Sequence, residues 1–458
     1  MTIINYKKIT PPEKDNSGVP VKLSNKTISE RHKKILRLMK KHDYSSLVIY
    51  ADKEHGSNFE YLVGYIPRFE EGLLVLNRDG SSTLILGNEN FNKVDKARIE
   101  AHGIKCSLFS LANQPMSDLD ELDEVFSELN LDTEKNVGLV GWKLIPNMTK
   151  NYDLPEFIVQ SLKNHVDEDK LFNATGIFID PAYGARITNN ANEIAHYEYG
   201  SSLSSDSVLD ALDHLKIGKT ELEIGNLLTR DGQTNNVVTI SAFGERFIDG
   251  NVYPTNRELK LGDKVALTTS YRGGLSSRTG YAVNSLEELQ SIDKGYFEDV
   301  VLPYFGAYYY WLRNIKIGKN GGEFYREFRE SYPQSKYGWE LNPGHLTANE
   351  EWMSSPFYEN SNAKVQSGMI FQVDFIPIQP PHQGVSAEST VAIADESLCH
   401  DIKEQYPDLW NRIIKRKKYM QTELNIELSP EILPLTSTVG YYRPFMLNKE
   451  FALYFGKY

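Results

Sequence analysis

The segments Leu215-Lys-Ile-Gly-Lys219 and Ile315-Lys-Ile-Gly-Lys319 stand 100 residues apart, and each closes a long helical pattern and opens a short one. A turn that returns with the same flanking elements points to an internal duplication, because a repeated unit repeats its punctuation as well as its periodicity. In the first copy, Thr220-Glu-Leu-Glu223 has capping-box spacing: the Thr hydroxyl can accept from a free backbone N–H while Glu223 reaches back, so a helix is expected to start there. Each copy then runs into strand-like sequence, Lys264-Val-Ala-Leu-Thr268 and Met369-Ile-Phe-Gln-Val-Asp374. Two similar α/β halves enclosing a cleft are expected over residues 190–445.

Upstream, Ile35, Leu36, Leu38 and Met39 recur at helical spacing, and Ser46–Tyr50, Leu73–Leu76, Thr83–Leu86 and Val137–Val140 read as strands. With helical patterns near 90–102 and 117–129, they predict a small mixed sheet flanked by helices over residues 28–165. Residues 1–27, with Pro11, Pro12 and Pro20 and no periodicity, read as an N-terminal arm on the surface or on a second subunit. The fold class is α/β (α+β).

The chain has 458 residues, 40% of them hydrophobic and 24% charged, which supports sizeable cores and excludes disorder as the main theme. A formal net charge of −12 repels phosphate backbones and anionic lipid, so neither nucleic acid nor a membrane is expected as a partner. The run Arg412–Lys418 fits a helix with Trp410, Ile413 and Ile414 on its apolar face and a solvated basic face. Cys106 and Cys399 form no disulfide or zinc pattern, and Met1–Lys14 is polar, so a cytoplasmic location is expected.

The dinucleotide and phosphate loops, the HExxH helix and the GxSxG elbow are all missing. What remains lies in the second half: Gly344-His345, Gln372-Val-Asp374 and Ala387-Glu388-Ser-Thr390. Asp374 and Glu388 sit in apolar, strand-like surroundings, where a carboxylate must be paired, hydrogen-bonded, metal-bound or protonated. For either one alone, a structural role and a catalytic role stand about level.

The order of these residues resembles the creatinase, aminopeptidase P, prolidase and methionine aminopeptidase family, whose catalytic domain is the pita-bread fold. The resemblance covers about residues 28–445. It is carried by Glu30-Arg31, Gly262-Asp263-Lys-Val-Ala, Tyr271-Arg-Gly, Arg278-Thr279, Gly344-His345, Gly368-Met-Ile-Phe-Gln-Val-Asp374 and Ala387-Glu388-Ser-Thr-Val. It implies a creatinase-like N-terminal domain, a duplicated pita-bread domain and a homodimer.

Peptidases of that family hold two divalent metals on ligands in the order Asp, Asp, His, Glu, Glu. At the matching positions this chain has Thr268, Ser277, His345, Asp374 and Glu388. Two hydroxyls replace two carboxylates, which argues against a metal pair, since a dinuclear centre needs those negative charges. Two auxiliary family histidines are replaced as well, by Asn251 and Trp352.

The resemblance and these departures imply a metal-independent hydrolase or lyase acting on a C–N bond of a small amino-acid-like or guanidino-like metabolite. In that reading His345 shuttles a proton, and Asp374 and Glu388 bind a cationic group or activate water. Asn251, Thr268, Ser277, Arg278, Tyr271, Trp352 and, from a loop of the N-terminal domain, Arg68 are the substrate-binding candidates. No cofactor is called for, although one divalent metal on His345, Asp374 and Glu388 stays open. Two alternatives stand beside it: a non-catalytic ligand- or protein-binding homologue, and a mononuclear Xaa-Pro aminopeptidase or dipeptidase, for which three N/O ligands suffice.

Overall fold

The computed structural model describes residues 2–15, 19–114, 120–129, 131–249 and 253–457; Asn251 lies outside them. The chain divides into two compact units, one comprising residues 23–187 and the other residues 1–22 with 188–458. Among the described residues no helix is long and apolar enough to cross a membrane.

The first strand, β1 (Thr2–Lys8), belongs to the larger unit. The smaller unit is built on β2 (Tyr44–Ala51), β3 (Gly72–Asn77), β4 (Ser82–Leu86), β5 (His102–Lys105), β6 (Asn136–Val140) and β7 (Leu171–Asn173). Their order is β5-β4-β3-β2-β6-β7, antiparallel from β4 through β2 and parallel from β2 through β7. Strands β2 and β3 are buried along nearly their whole length, as their continuous apolar runs require. The helix Asn25–Lys41 is capped by Ser24, which accepts from Thr27 N–H at 3.1 Å, and it buries Ile28, Ile35, Leu38 and Met39. The helix expected near 90–102 is instead a 3₁₀ turn, Phe91–Lys96: it buries none of its residues, so no apolar stripe exists to hold a longer helix.

The larger unit shows what the repeated turn does. The helix Ala191–His214 leads into Leu215–Lys219, the short helix Glu221–Gly225 and a three-stranded antiparallel sheet, β8 (Ile240–Phe243), β9 (Lys264–Tyr271) and β10 (Gly274–Tyr281). The helix Leu302–Asn314 leads likewise into Ile315–Lys319, the helix Gly321–Ser331 and a four-stranded sheet, β11 (His345–Leu346), β12 (Ile370–Gln372), β13 (Thr390–Ile393) and β14 (Ile432–Pro434).

The two turns match bond for bond. Gly218 and Gly318 take φ of +84° and +82°, and their N–H groups donate to Leu259 O and Val365 O, each at 2.9 Å. Leu259 and Val365 return bonds to Lys219 O and Lys319 O at 2.8 and 3.0 Å. Thr220 and Asn320 then cap the next helices by accepting from Glu223 N–H and Glu323 N–H, and at Thr220 the expected capping box is complete. Only glycine adopts this left-handed backbone without strain, which is why the Gly recurs.

The helix Ala191–His214 packs on the first sheet through Val208, Ala211 and Leu212 against Phe243, Val265 and Leu267, and hydroxyls nearer its start add polar ties. Ser201 donates to Gly273 O at 2.8 Å, and Ser204 Oγ lies 3.1 Å from Ser276 Oγ. Gly200 permits the approach, since a Cβ there would stand 1.9 Å from Arg272 O.

The N-terminal segment is bound into the larger unit by long-range contacts. β1 pairs antiparallel with β15 (Phe451–Lys457), and Asp15 meets Arg416 at 2.8 Å. The helix Pro407–Thr422 is not basic only toward solvent: Arg412 and Arg416 turn inward onto the buried Glu198, each with one nitrogen at 2.6 Å from its carboxylate. One helical turn separates the two arginines, so both reach the same acid.

Candidate active site

His345 is placed by the residue before it. Gly344 takes φ +95°, its N–H donates to Asp374 O at 2.9 Å, and a Cβ would press on Gln372 O and Trp311 Nε1 at 3.0 and 3.1 Å. That turn starts β11, pairs His345 with Gln372 of β12 and sets the imidazole beside Asp374, two residues beyond Gln372. Glu388 comes from the extended segment that leads into β13: Val373 N–H donates to Ser389 O at 3.0 Å, and Ala387 N–H donates to the Tyr304 hydroxyl at 3.0 Å.

His345, Asp374 and Glu388 are all buried, and one ligand atom from each lies within 4.8 Å of the others. Nε2 of His345 is 3.9 Å from Asp374 Oδ2 and 3.8 Å from Glu388 Oε1. Two ligands sharing an ion about 2.1 Å from each can be at most about 4.2 Å apart, so both measured separations fit one cation. Nε2 of His345, Oδ1 of Asp374 and Oε1 of Glu388 are buried without an aligned hydrogen-bond partner. Buried polar atoms in a folded chain are normally satisfied, and a cation would satisfy all three.

A fourth ionisable group joins them. Leu346 N–H donates to Ser354 O at 2.7 Å and Met353 N–H to Leu346 O at 2.9 Å, so the chain between them folds back over its own start. This brings Glu351 Oε1 to 3.0 Å from His345 Nε2 and stacks the Trp352 indole on the imidazole, with centroids 4.0 Å apart and planes 21° apart. Glu351 belongs to none of the motifs legible in the sequence, because a return loop of this kind leaves no periodic trace.

Electrostatics follow from burial and crowding. Burial opposes charge on His345, but Glu351, Glu388 and Asp374 outweigh it and raise the imidazole well above its ordinary range. Burial pushes Asp374 up to about 6, against the pull of His345. Burial and then the Asp374 charge raise Glu388 well above the usual carboxylate range. Burial also opposes ionisation of Glu351, and the facing His345 overcomes it and holds that acid below its ordinary value.

The remaining candidates divide sharply. Thr268 and Ser277 are Cα partners across β9 and β10, with hydroxyls 2.9 Å apart, and Ser386 donates to Ser277 Oγ at 3.2 Å. Ser277 N–H donates to Glu388 O at 3.2 Å, which ties this hydroxyl pair to the acidic strand. Arg278 is a wall residue: Nε donates to Tyr441 O, Nη1 to the carbonyls of Ser277 and Glu388, and Nη2 to Thr438 O and Ser389 Oγ. No guanidinium donor remains for a ligand. Tyr271 is buried and donates to Leu228 O at 2.9 Å. Arg68 belongs to the smaller unit, where its side chain is exposed and its N–H donates to Asn90 Oδ1 at 3.0 Å.

No family model matches the chain, and no curated protein matches it. Solved structures do. An Xaa-Pro dipeptidase from Bacillus anthracis is 15% identical with a TM-score of 0.59, over 81% of this chain and 96% of that one. The prolidase of Pyrococcus horikoshii is 19% identical with a TM-score of 0.59, over 80% and 95%. An X-Pro aminopeptidase from Thermotoga maritima is 14% identical with a TM-score of 0.60, over 80% and 95%. With its two halves matched turn for turn and these structures superposing over most of its length, the chain has the pita-bread fold of the creatinase, aminopeptidase P and prolidase family.

Proposed function

We propose that this protein is a hydrolase of a peptide or amide C–N bond that works with one divalent cation held by His345, Asp374 and Glu388. One observation carries the reading: an imidazole and two carboxylates converge within 4.8 Å, each with a buried atom that lacks an aligned hydrogen-bond partner. The similar solved structures, an Xaa-Pro dipeptidase, a prolidase and an X-Pro aminopeptidase, support hydrolysis as the reaction class and make Xaa-Pro peptides the first substrates to try. This favours the mononuclear alternative over the metal-independent reading.

When bound, such a cation supplies Lewis acidity toward a carbonyl and lowers the pKa of a water. The chain's own residues do the rest. His345 is fixed by Gly344 and covered by Trp352, so bulk water reaches it from few directions. The Thr268 and Ser277 hydroxyls supply neutral hydrogen-bond donors where two carboxylates are lost, suited to a substrate oxygen rather than to a second cation.

The metal-independent hydrolase or lyase keeps one specific support, the 3.0 Å contact of Glu351 with His345, an ion pair that forms without any cation. Elemental analysis separates the two. Purified protein is incubated with zinc, manganese, cobalt or iron(II), beside His345→Ala. About one metal per chain, lost in the variant, is expected; wild-type protein that takes up none overturns the proposal.

A further inference from the structure

The sheet face that carries Thr268 and Ser277 runs on, away from the His345 centre, to a second concavity. Side chains four residues apart along a strand share a face, so Lys264 and Tyr281, Cα partners across β9 and β10, stand on that face about 13 Å further along. There they line an open cavity of about 540 Å³ with residues from the segments 244–245, 257–263, 292–294 and 381–382.

The acids of this cavity are all engaged. Asp263 accepts from Arg257 Nη2 and from Lys260 N–H, each at 2.9 Å. Asp293 accepts from the Tyr281 hydroxyl at 2.8 Å and lies 2.6 Å from His382 Nδ1, and Glu245 accepts from Lys264 Nζ at 2.8 Å. The donors are not. Among the described residues Lys294, which is exposed, has no acid within ion-pair distance, and Nη1 of Arg257 makes no hydrogen bond although that side chain is 33% exposed. Gly244 leaves the space that the guanidinium fills, since a Cβ there would collide with Nη2. Open cationic donors beside saturated acids select an anion.

The walls also limit which anion. Three carboxylates in the lining repel a multiply charged ion more than a singly charged one. Ile292, 44% exposed, and the exposed Pro381 offer apolar surface to a hydrocarbon.

We propose that this cavity binds a monocarboxylate with a short apolar body, the carboxylate on Lys294 and Arg257 and the body on Ile292 and Pro381. The site uses no metal and none of the residues of the His345 centre, so it stands apart from the hydrolase reading.

The test uses full-length, chelator-treated protein, titrated calorimetrically with hexanoate, 1-hexanol and hexylammonium, for wild type, Lys294→Gln, Arg257→Lys and Ile292→Ser. Wild type is expected to bind hexanoate about ten-fold tighter than either of the others. Lys294→Gln cuts that preference about three-fold, and so does Arg257→Lys, which keeps a charge facing Asp263 but loses the planar fork. Ile292→Ser weakens hexanoate and hexanol alike, by about three-fold. Wild-type protein that binds hexanoate no tighter than hexanol overturns the site, as does a preference unchanged in Lys294→Gln, a replacement at an exposed position. A preference lost in His345→Ala would place the acid at the other centre and overturn it too. Inorganic phosphate binding as tightly as hexanoate would leave a bare anion site and overturn the ligand class.

Discussion

Glu351 stands 3.0 Å from Nε2 of His345, carried there by a loop that leaves the histidine and folds back onto it. In protein stripped of metal, this contact leads the attractions that outweigh burial and keep the imidazole charged. A raised folded-state value means that His345 lends stability in full below its unfolded value, and that this stability is lost as pH rises through the raised value. NMR titration of the ring of chelator-treated protein is therefore expected to find His345 still protonated at pH 7 in the wild type. In Glu351→Gln the transition moves to lower pH; an unmoved transition would show that Asp374 and Glu388 alone hold the proton.

Asp374 makes the opposite prediction for stability. Its carboxyl is raised from 3.8 to about 6, chiefly by burial, so the folded state binds its proton more tightly than the unfolded chain does. Stability is then greatest below the unfolded value, falls as pH rises from 3.8 to about 6, and levels off above that. Asp374→Asn removes that penalty. Chelator-treated variant is expected to be more stable than wild type at pH 7.5, on the order of 2 kcal/mol, and nearly equal at pH 4. Urea unfolding at both pH values measures it, and a variant less stable at pH 7.5 contradicts the assignment.

Arg278 is matched to five oxygens on the wall behind the site. Lysine offers three donors on a flexible stem and cannot reproduce the planar fork. Arg278→Lys is expected to lose about 3 kcal/mol of stability, because buried carbonyls are left without donors. Denaturant unfolding checks the figure; a loss under about 1 kcal/mol would mean that water replaces the guanidinium.

The fold was legible where the chain repeats itself, and much of the site where it places polar residues in apolar strands. The matched glycines at 218 and 318 specify the same left-handed turn twice, so two related halves could be read from a few residues. His345, Asp374 and Glu388 were visible because each interrupts or borders an apolar run. What stayed hidden depends on distance in sequence. Thr2–Lys8 becomes a strand only because Phe451–Lys457 supplies its partner, and Arg412 and Arg416 turn inward only because Glu198 waits there. Glu351 is nearer in sequence, yet its role follows from the return of a loop with no period to detect.

Thr268 and Ser277 lend themselves to a gain-of-function test. They face each other in register across β9 and β10 with hydroxyls 2.9 Å apart, and Ser277 is bonded through its backbone to Glu388. Carboxylates at both positions would add the two negative charges that a second divalent cation requires. Without metal, two acids so close repel each other, so Thr268→Asp with Ser277→Asp is expected to lower the melting temperature of chelator-treated protein relative to wild type. With manganese or cobalt present, the double variant should regain that stability and bind about two ions per chain where the wild type binds about one. The stabilisation should grow with metal concentration, since only the folded state offers the site. Elemental analysis and thermal unfolding read the two effects separately. A double variant that still binds one ion would mean that the hydroxyl pair lies outside the reach of the His345 centre.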